Sequence, residues 1–219
     1  MTVLEAESMD RRPGCVAGVD GTKEGWVAVV LENGRVSDVR LLRGWDATFA
    51  ELDAAEAIAI DIPIGFGPRH ADKLARKLVR GSSVFAIPEE AKFAEPFGPG
   101  RGISAQAHAL GKRIRHITAM AAGDGRFREV HPEVCFWAMN GQERLSYPKK
   151  SAGGVLERIA LLKKAGIVIG EELLGTAARA PLDDVLDAAA CAWTGQRIIV
   201  TEAESLPPGA RVRDVAIWY

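Results

Sequence analysis

Four short apolar runs near the start of the chain limit its possible folds more than any other feature. The runs are 16–20, 26–31, 35–42 and 57–61. Asn33-Gly34 lies between the second and third runs and is a strong hairpin signal, so the first three strands are expected to be antiparallel. A predicted helix over 45–55 precedes the last run, AIAID, whose continuous apolar character indicates a strand covered on both faces. The order of three strands, helix and strand predicts an α/β domain.

The rest of the chain is mainly helical in pattern. We predict an amphipathic helix over 69–80, and Ser104 is the expected N-cap of a helix that ends at about 122. Further predicted elements are a Pro/Gly loop at 94–102, a fifth strand at 126–131, helices at 132–140, 153–165 and 181–195, and strand pieces in 197–219. We expect one domain over 14–219, with a flexible tail at 1–13 and an insertion at about 66–123 after the fourth strand.

The composition excludes several classes of protein. Of the 219 residues, 47% are hydrophobic and 26% are charged, so the chain can bury a sizeable core. A net charge of −1 excludes a globally basic nucleic-acid binder but allows a local basic patch. The three cysteines are far apart without a CxxC pair, which argues against a disulfide framework or a zinc knuckle. With no signal peptide and no stretch long enough to span a membrane, we expect a soluble, cytoplasmic protein.

Acidic residues occur at places where ligands often bind. They are Asp20 and Asp61, which end predicted strands, Asp184 and Asp187 on one helix face, and Glu129 and Glu133, which flank His131. Because α/β sheets bind ligands at the carboxyl ends of their strands, the two strand-end acids can converge there. Converging carboxylates repel one another, and a divalent cation, Mg²⁺ or Mn²⁺ rather than zinc, relieves that repulsion. Taken singly, a strand-end Asp is more often a turn former, so the prediction depends on the whole set.

The element order and seven motifs resemble the RNase H-like fold and, more narrowly, an uncharacterised prokaryotic family of predicted RNase H-like nucleases. The motifs are GVDGTKEGW (18–26), IDIPIGF (60–66), RHADKLAR (69–76), SSVFAIP (82–88), GISAQ (102–106), EVHPEVCF (129–136) and LDDVLDA (182–188). They are spread over nearly the whole chain. The resemblance implies a mixed five-stranded central sheet flanked by helices, with a helical insertion after the fourth strand.

The resemblance also implies roles for individual acids. The invariant first-strand acid of RNase H-like nucleases corresponds to Asp20, and the later acids of RuvC-type resolvases correspond to Asp61 and to the pair Asp184 and Asp187. The EVHPE motif at 129–133 belongs to the narrower family and has no RuvC counterpart. Catalysis is assigned to Asp20, Asp61, Asp184, Asp187 and Glu129, and binding of Mg or Mn to Asp20, Asp61, Glu133, Asp184 and Asp187.

Positive residues are concentrated between 69 and 116, where ten Lys and Arg stand against four Asp and Glu. This asymmetry suits phosphate contact, although a solvated helix face explains it equally well. Asp72 and Arg76, at i and i+4, can also pair with each other. A serine at the position of Ser104 is more often an N-cap than a substrate ligand, and His131 can equally be a structural histidine. Substrate binding is assigned to Arg69, Lys73, Arg76, Lys77, Ser104, Gln106, His131 and Lys149.

Together these features predict a metal-dependent phosphodiester hydrolase, a nuclease that uses Mg or Mn and acts on DNA or RNA. Two alternatives stay open. Asp20-Gly21-Thr22 resembles the phosphate loop of actin-like ATPases and sugar kinases, which implies an ATP-binding phosphotransferase. The other is a non-catalytic binding module that keeps the RNase H-like fold. The insertion of about 60 residues leaves open whether the substrate is a duplex, a junction or a smaller molecule.

Overall fold

The computed structural model describes residues 14–219 except 48, 80–82, 95, 99 and 101, so the predicted tail at 1–13 lies outside it. The strands are β1 (Cys15–Gly21), β2 (Gly25–Glu32), β3 (Arg35–Arg43), β4 (Ala57–Ile60), β5 (Phe127–Glu129), β6 (Ser205–Leu206) and β7 (Ile217–Trp218). The α-helices are α1 (His70–Leu78), α2 (Ala105–Gly123), α3 (Pro132–Met139), α4 (Ala152–Lys164) and α5 (Leu182–Ile199). Short 3-10 helices lie at Phe49–Leu52, Glu90–Phe93, Glu171–Leu173 and Gly175–Arg179.

Five strands form one mixed sheet in the order β3-β2-β1-β4-β5. β1, β2 and β3 are antiparallel neighbours, whereas β1 with β4 and β4 with β5 are parallel. The hairpin between β2 and β3 turns at Asn33 and Gly34, whose φ values of 51° and 79° suit a type I′ turn. The predicted class, sheet and hairpin are confirmed, and the topology is consistent with an RNase H-like fold. β6 and β7 form a separate two-stranded sheet.

Helix α5 lies against one face of the sheet at very short range. Gly18 of β1 permits this approach, because a Cβ at that position would lie 2.0 Å from the Ala192 backbone nitrogen and 2.1 Å from the Ala188 carbonyl oxygen. The buried residues of the helix at this contact are largely alanines. The small side chains on both elements therefore allow the middle of α5 to lie close to β1.

The insertion covers the opposite face of the sheet. Trp26 of β2 and Ile58 of β4 pack there in one buried cluster with Ile114 and Ile117 of α2. Since helices cover both faces, β4 is buried at every position, as its apolar sequence predicts. Helix α2 begins as predicted, because the Ser104 Oγ accepts a hydrogen bond from the Ala107 backbone nitrogen at 3.1 Å.

The predicted helix over 45–55 is wrong, since only Phe49–Leu52 of its described residues are helical, as one 3-10 turn. Trp45 and Phe49 both pack on Trp26, with ring centroids 5.5 Å and 5.9 Å away. The Arg126 Nη1 donates to three carbonyl oxygens between residues 52 and 55. These carbonyls face the guanidinium instead of continuing a helix, so the chain turns into β4.

Two other expectations concern cysteines and membranes. All three cysteines are buried and unbridged, as predicted. In the described part of the chain, every helix is too short or too polar to cross a membrane. The last long helix differs from its predicted bounds, because α5 continues to Ile199 instead of ending at 195.

Candidate functional site

Asp20 and Asp61 lie side by side at the carboxyl ends of two adjacent parallel strands. Val19 of β1 pairs with Ile60 of β4, and the Asp61 backbone nitrogen donates to the Val19 carbonyl oxygen at 2.8 Å. Asp20 and Asp61 therefore directly follow the paired residues Val19 and Ile60. Asp20 is buried, and its Oδ1 accepts a hydrogen bond from the Gly21 backbone nitrogen at 2.7 Å. The strand ends bring these two carboxylates together, as the sequence predicts.

Helix α5 adds two carboxylates from its first turns. Asp187 immediately precedes the alanines that pack on β1 and is 3% exposed, whereas Asp184 is partly exposed. The Lys149 Nζ donates to the Asp187 Oδ2 at 2.8 Å. The Asp187 Oδ1 is also buried, but it has no hydrogen-bond partner among the described residues. A buried carboxylate oxygen without a donor is unfavourable, so the Asp187 Oδ1 would gain from binding a proton donor or a cation.

One cavity of about 500 Å³ brings most of the predicted site residues together. Its lining includes Asp20, Asp61, Asp184, Asp187, Glu129, Glu133, Arg69, Gln106, His131 and Lys149. It does not include Lys73, Arg76, Lys77 or Ser104. We call Asp20, Asp61, Asp184 and Asp187 the aspartate wall, and Asp72, Glu129 and Glu133 the arginine-paired wall.

Burial raises the pKa of all four carboxyl groups of the aspartate wall. For Asp20, the charges of the other three raise the pKa further. Burial raises the pKa of Asp61 to about 6, with His131 and Lys149 opposing the rise and Asp187 adding to it. Burial and the neighbouring Asp183 raise the pKa of Asp184 to about 6. Ionising all four carboxyl groups together is therefore unfavourable in this buried site.

In the arginine-paired wall, each carboxylate has a buried arginine partner. The Arg69 Nη1 donates to the Glu129 Oε2 at 2.7 Å, and its Nε donates to the Asp72 Oδ1 at 3.0 Å. The Glu129 Oε2 also accepts from the Ile64 backbone nitrogen at 2.7 Å. On α4, the buried Arg158 donates through Nη2 to Glu133 at 2.5 Å. These contacts tie β5 to the loop after β4, and α3 to α4.

The basic residues of the predicted helix over 69–80 do not form one exposed face. Arg69 is buried in the ion pairs described above, and the Arg76 Nε donates to a backbone carbonyl oxygen at 2.7 Å. Asp72 pairs with Arg69, so the alternative i, i+4 pair with Arg76 is wrong. The exposed basic residues of the described helix are Lys73 and Lys77, and Arg80 lies outside the described residues.

The remaining candidates have local partners or lie at the cavity mouth. Gln106 lines the cavity and is exposed. The His131 Nε2 lies 3.0 Å from the Ser83 carbonyl oxygen, while its buried Nδ1 has no partner among the described residues. In the alternative phosphate loop, the Thr22 Oγ1 accepts from the Glu24 backbone nitrogen at 3.0 Å, which is an ordinary turn contact.

A family described as "protein of unknown function (DUF429)" matches residues 18–211. The chain belongs to this family. The prediction of an uncharacterised family is confirmed for this DUF429 protein, while the RNase H-like nuclease assignment stays a prediction. No curated protein and no solved structure matches the chain. Within the residues that the structure describes, no group of three or more His, Cys, Asp or Glu is arranged to hold a metal ion, so Mg or Mn binding also stays a prediction.

Two arginines of this DUF429 protein act on the acids but are not among the residues predicted from the sequence. Arg113 of α2 lines the cavity and stacks on the Trp45 ring. Burial lowers the pKa of Arg113 to about 10, although the charge of Asp20 opposes that change. The other is Arg158, the partner of Glu133. Both have apolar residues three or four positions away on their helices. This spacing puts each cation on a buried face, where it needs a partner, and this pattern could have identified both residues from the sequence.

Proposed function

We propose that the protein is an Mg- or Mn-dependent phosphodiester hydrolase that acts on nucleic acid at the aspartate wall. One observation carries the proposal. Four carboxylates line one cavity, and among the described residues only Lys149 forms an ion pair with any of them. The other carboxylates of that cavity have buried arginine partners. A divalent cation would supply the positive charge that the aspartate wall lacks.

The donor chemistry of the aspartate wall fits such a cation. Carboxylate oxygens are hard ligands that suit Mg²⁺ and Mn²⁺, and the Asp187 Oδ1 is a buried oxygen without a donor. Asp20, Asp61 and Asp187 would hold the ion, with Asp184 and Glu133 as further oxygen donors. Because no group of three is preformed in the described residues, binding would require side chains to rotate, and the Lys149–Asp187 ion pair is the contact that would break. When bound, the ion supplies Lewis acidity and lowers the pKa of water.

Two cations of the chain would bind the substrate. Arg113 lies beside Asp20, and Lys149 becomes available when it leaves Asp187. Both would contact the non-bridging oxygens of a phosphodiester and so orient the phosphorus toward the aspartate wall. The cavity volume of about 500 Å³ is within the range of sites that hold one small molecule. We therefore expect one nucleotide unit at a time to enter the cavity.

The test compares Asp187→Asn with Asp183→Asn, a matched change on the same helix outside the cavity lining. Calorimetry with Mn²⁺ measures metal binding, and labelled single-stranded DNA and RNA report cleavage. We expect the wild type and Asp183→Asn to bind Mn²⁺ and to cleave, and Asp187→Asn to lose on the order of 10²-fold or more in rate. In chelator, Asp187→Asn should change the free energy of unfolding by less than about 1 kcal/mol, because the variant loses a repelling charge together with the Lys149 ion pair.

Three results would contradict the proposal. A wild type that neither binds Mn²⁺ nor cleaves either substrate has no such site. Equal rates for Asp187→Asn and Asp183→Asn would remove the aspartate wall from the reaction. Binding of ATP without cleavage of nucleic acid would instead favour the phosphotransferase alternative.

A further inference from the structure

A second cavity, of about 380 Å³, lies at β5 on the side of the C-terminal segment. Its lining comes from the loop after β4, from α2, from β5 and from the residues around β7. None of the four residues of the aspartate wall belongs to it. The charged group that distinguishes this cavity is Arg128, a buried residue of the short strand β5.

Arg126 and Arg128 make the same kind of contact through Nη1 but differ in the contacts of Nε and Nη2. Each directs Nη1 at backbone carbonyl oxygens, which for Arg128 belong to Gly125 and Phe127 at 2.5 Å and 2.8 Å. Arg126 places its Nε and Nη2 on the Asp124 carboxylate at 2.7–3.0 Å. On Arg128 the same two nitrogens donate to no described residue, and Nε is fully buried.

The unpaired edge of Arg128 matches a carboxylate, and because Nε is closed to solvent, the side chain must turn toward the cavity to present both nitrogens. Nε–H and one N–H of Nη2 point in parallel, and a carboxylate accepts both in a bidentate pair, as Asp124 does for Arg126. Arg128 is 9% exposed, so water does not replace the missing acceptor well. Burial lowers the pKa of Arg128, and the charge of Asp124 only partly opposes this. Among the described residues, the hydrogen bonds of this guanidinium go to backbone carbonyl oxygens and not to a carboxylate.

The other lining residues indicate what kind of ligand the cavity can hold. Arg213 is exposed at the cavity and adds positive charge. Two carboxylates also line the cavity, but Glu129 is paired with Arg69, and the Asp214 Oδ2 accepts from the Arg211 backbone nitrogen at 2.7 Å within its own turn. Phe127 and Val215 contribute apolar surface. We propose that this cavity binds a small organic carboxylate, with the carboxylate on the Nε–Nη2 edge of Arg128 and the apolar body against Phe127 and Val215. This site goes beyond the proposed function and does not depend on it.

The experiment uses benzoate as the probe and benzamide as a neutral compound of the same shape, with the full chain in chelator. Calorimetry should show that benzoate binds the wild type at least about tenfold more tightly than benzamide. Arg128→Gln should lose about tenfold or more in benzoate affinity, and Arg128→Lys should lose most of it because an ammonium cannot form the bidentate pair. Arg213→Gln should lose only about two- to threefold, and Arg115→Gln, the same charge change elsewhere on the surface, should bind like the wild type.

The indole N–H signals in the NMR spectrum locate the bound probe. Trp218 lines the second cavity and should shift with benzoate, whereas Trp45 contacts Arg113 of the main cavity and should not. The proposal is overturned if benzoate and benzamide bind equally, or if Trp45 shifts while Trp218 does not. Unchanged benzoate affinity in Arg128→Lys would also overturn it, and this variant keeps the charge if Arg128→Gln does not fold.

Discussion

The two walls of the main cavity differ in whether their carboxylates are paired with cations. In the arginine-paired wall, Glu129 and Glu133 accept hydrogen bonds from buried guanidinium groups of Arg69 and Arg158. In the aspartate wall, one lysine pairs with one of the four carboxylates as far as the chain is described, and burial raises the pKa of every member. Paired charges in a protein interior stabilise the arrangement that pairs them, whereas unpaired ones favour any ligand that neutralises them.

The difference between the walls gives separate roles to acids that the sequence alone groups together. Glu129 holds Arg69 and the backbone of Ile64, so its contacts are those of a scaffold that positions the loop after β4. Among the described residues, no cation forms a comparable ion pair with Asp20 or Asp61. We therefore expect changes in the arginine-paired wall to affect folding first, and changes in the aspartate wall to affect function first.

The largest effect is expected from breaking the arginine-paired wall. Arg69→Gln leaves Glu129 and Asp72 buried without their cation, and we expect it to lower the free energy of unfolding by about 3–5 kcal/mol. Lys73→Gln, on the adjacent helix α1 and exposed, should change it by less than about 0.5 kcal/mol. Urea unfolding of both variants measures the difference. A decrease below about 1 kcal/mol for Arg69→Gln would make the two walls energetically alike.

A smaller effect is expected in the pH dependence of the unfolding free energy, which the unpaired carboxyl groups of the aspartate wall control. A carboxyl group with a raised pKa in the folded state binds more protons there than in the unfolded chain, where its pKa is about 4. With Asp61 and Asp184 at about 6, the unfolding free energy in chelator should fall as pH rises from about 4 to about 6, by on the order of 1–3 kcal/mol in total.

Asp61→Asn should reduce that slope, and Asp53→Asn, at an exposed carboxylate, should keep it. The measurement is urea unfolding at several pH values in chelator. Saturating Mn²⁺ should flatten the wild-type slope, since the cation favours the ionised carboxylates. A stability that rises with pH over this window would show that the aspartate wall is already neutralised within the fold.

The smallest effect on stability concerns the exposed lysines. Reversing Lys73 and Lys77 to Glu should change the unfolding free energy by less than about 0.5 kcal/mol for each position. If these lysines contact nucleic acid, the slope of log affinity against log salt should flatten by roughly 0.7–0.9 for each phosphate that the variant no longer binds. Fluorescence anisotropy with labelled DNA across a salt series measures the slope. An unchanged slope would indicate that both lysines belong to a solvated helix face and do not contact nucleic acid.

Local sequence rules predict the sheet and most helices well because their causes are local. Asn33 and Gly34 adopt the left-handed conformations that the hairpin needs, and the Ser104 side chain caps α2. Strand-end placement of Asp20 and Asp61 also follows from their position after apolar runs. The incorrectly predicted helix over 45–55 has suitable local spacing, but a distant residue, Arg126, takes its carbonyl oxygens.

The sequence by itself therefore determined the α/β class, the hairpin and the set of acids that could meet at the strand ends. Only the tertiary structure decided which acids receive a cation, since Arg69 and Glu129 are 60 positions apart and Arg158 and Glu133 are 25 apart. The physical reason is that hydrophobic spacing reports which face of an element is buried, whereas charge pairing depends on the three-dimensional approach of side chains from different elements. For the same reason, only the folded chain distinguishes Arg126, whose Nε and Nη2 donate to Asp124, from Arg128, which lines a cavity and whose Nε has no acceptor among the described residues.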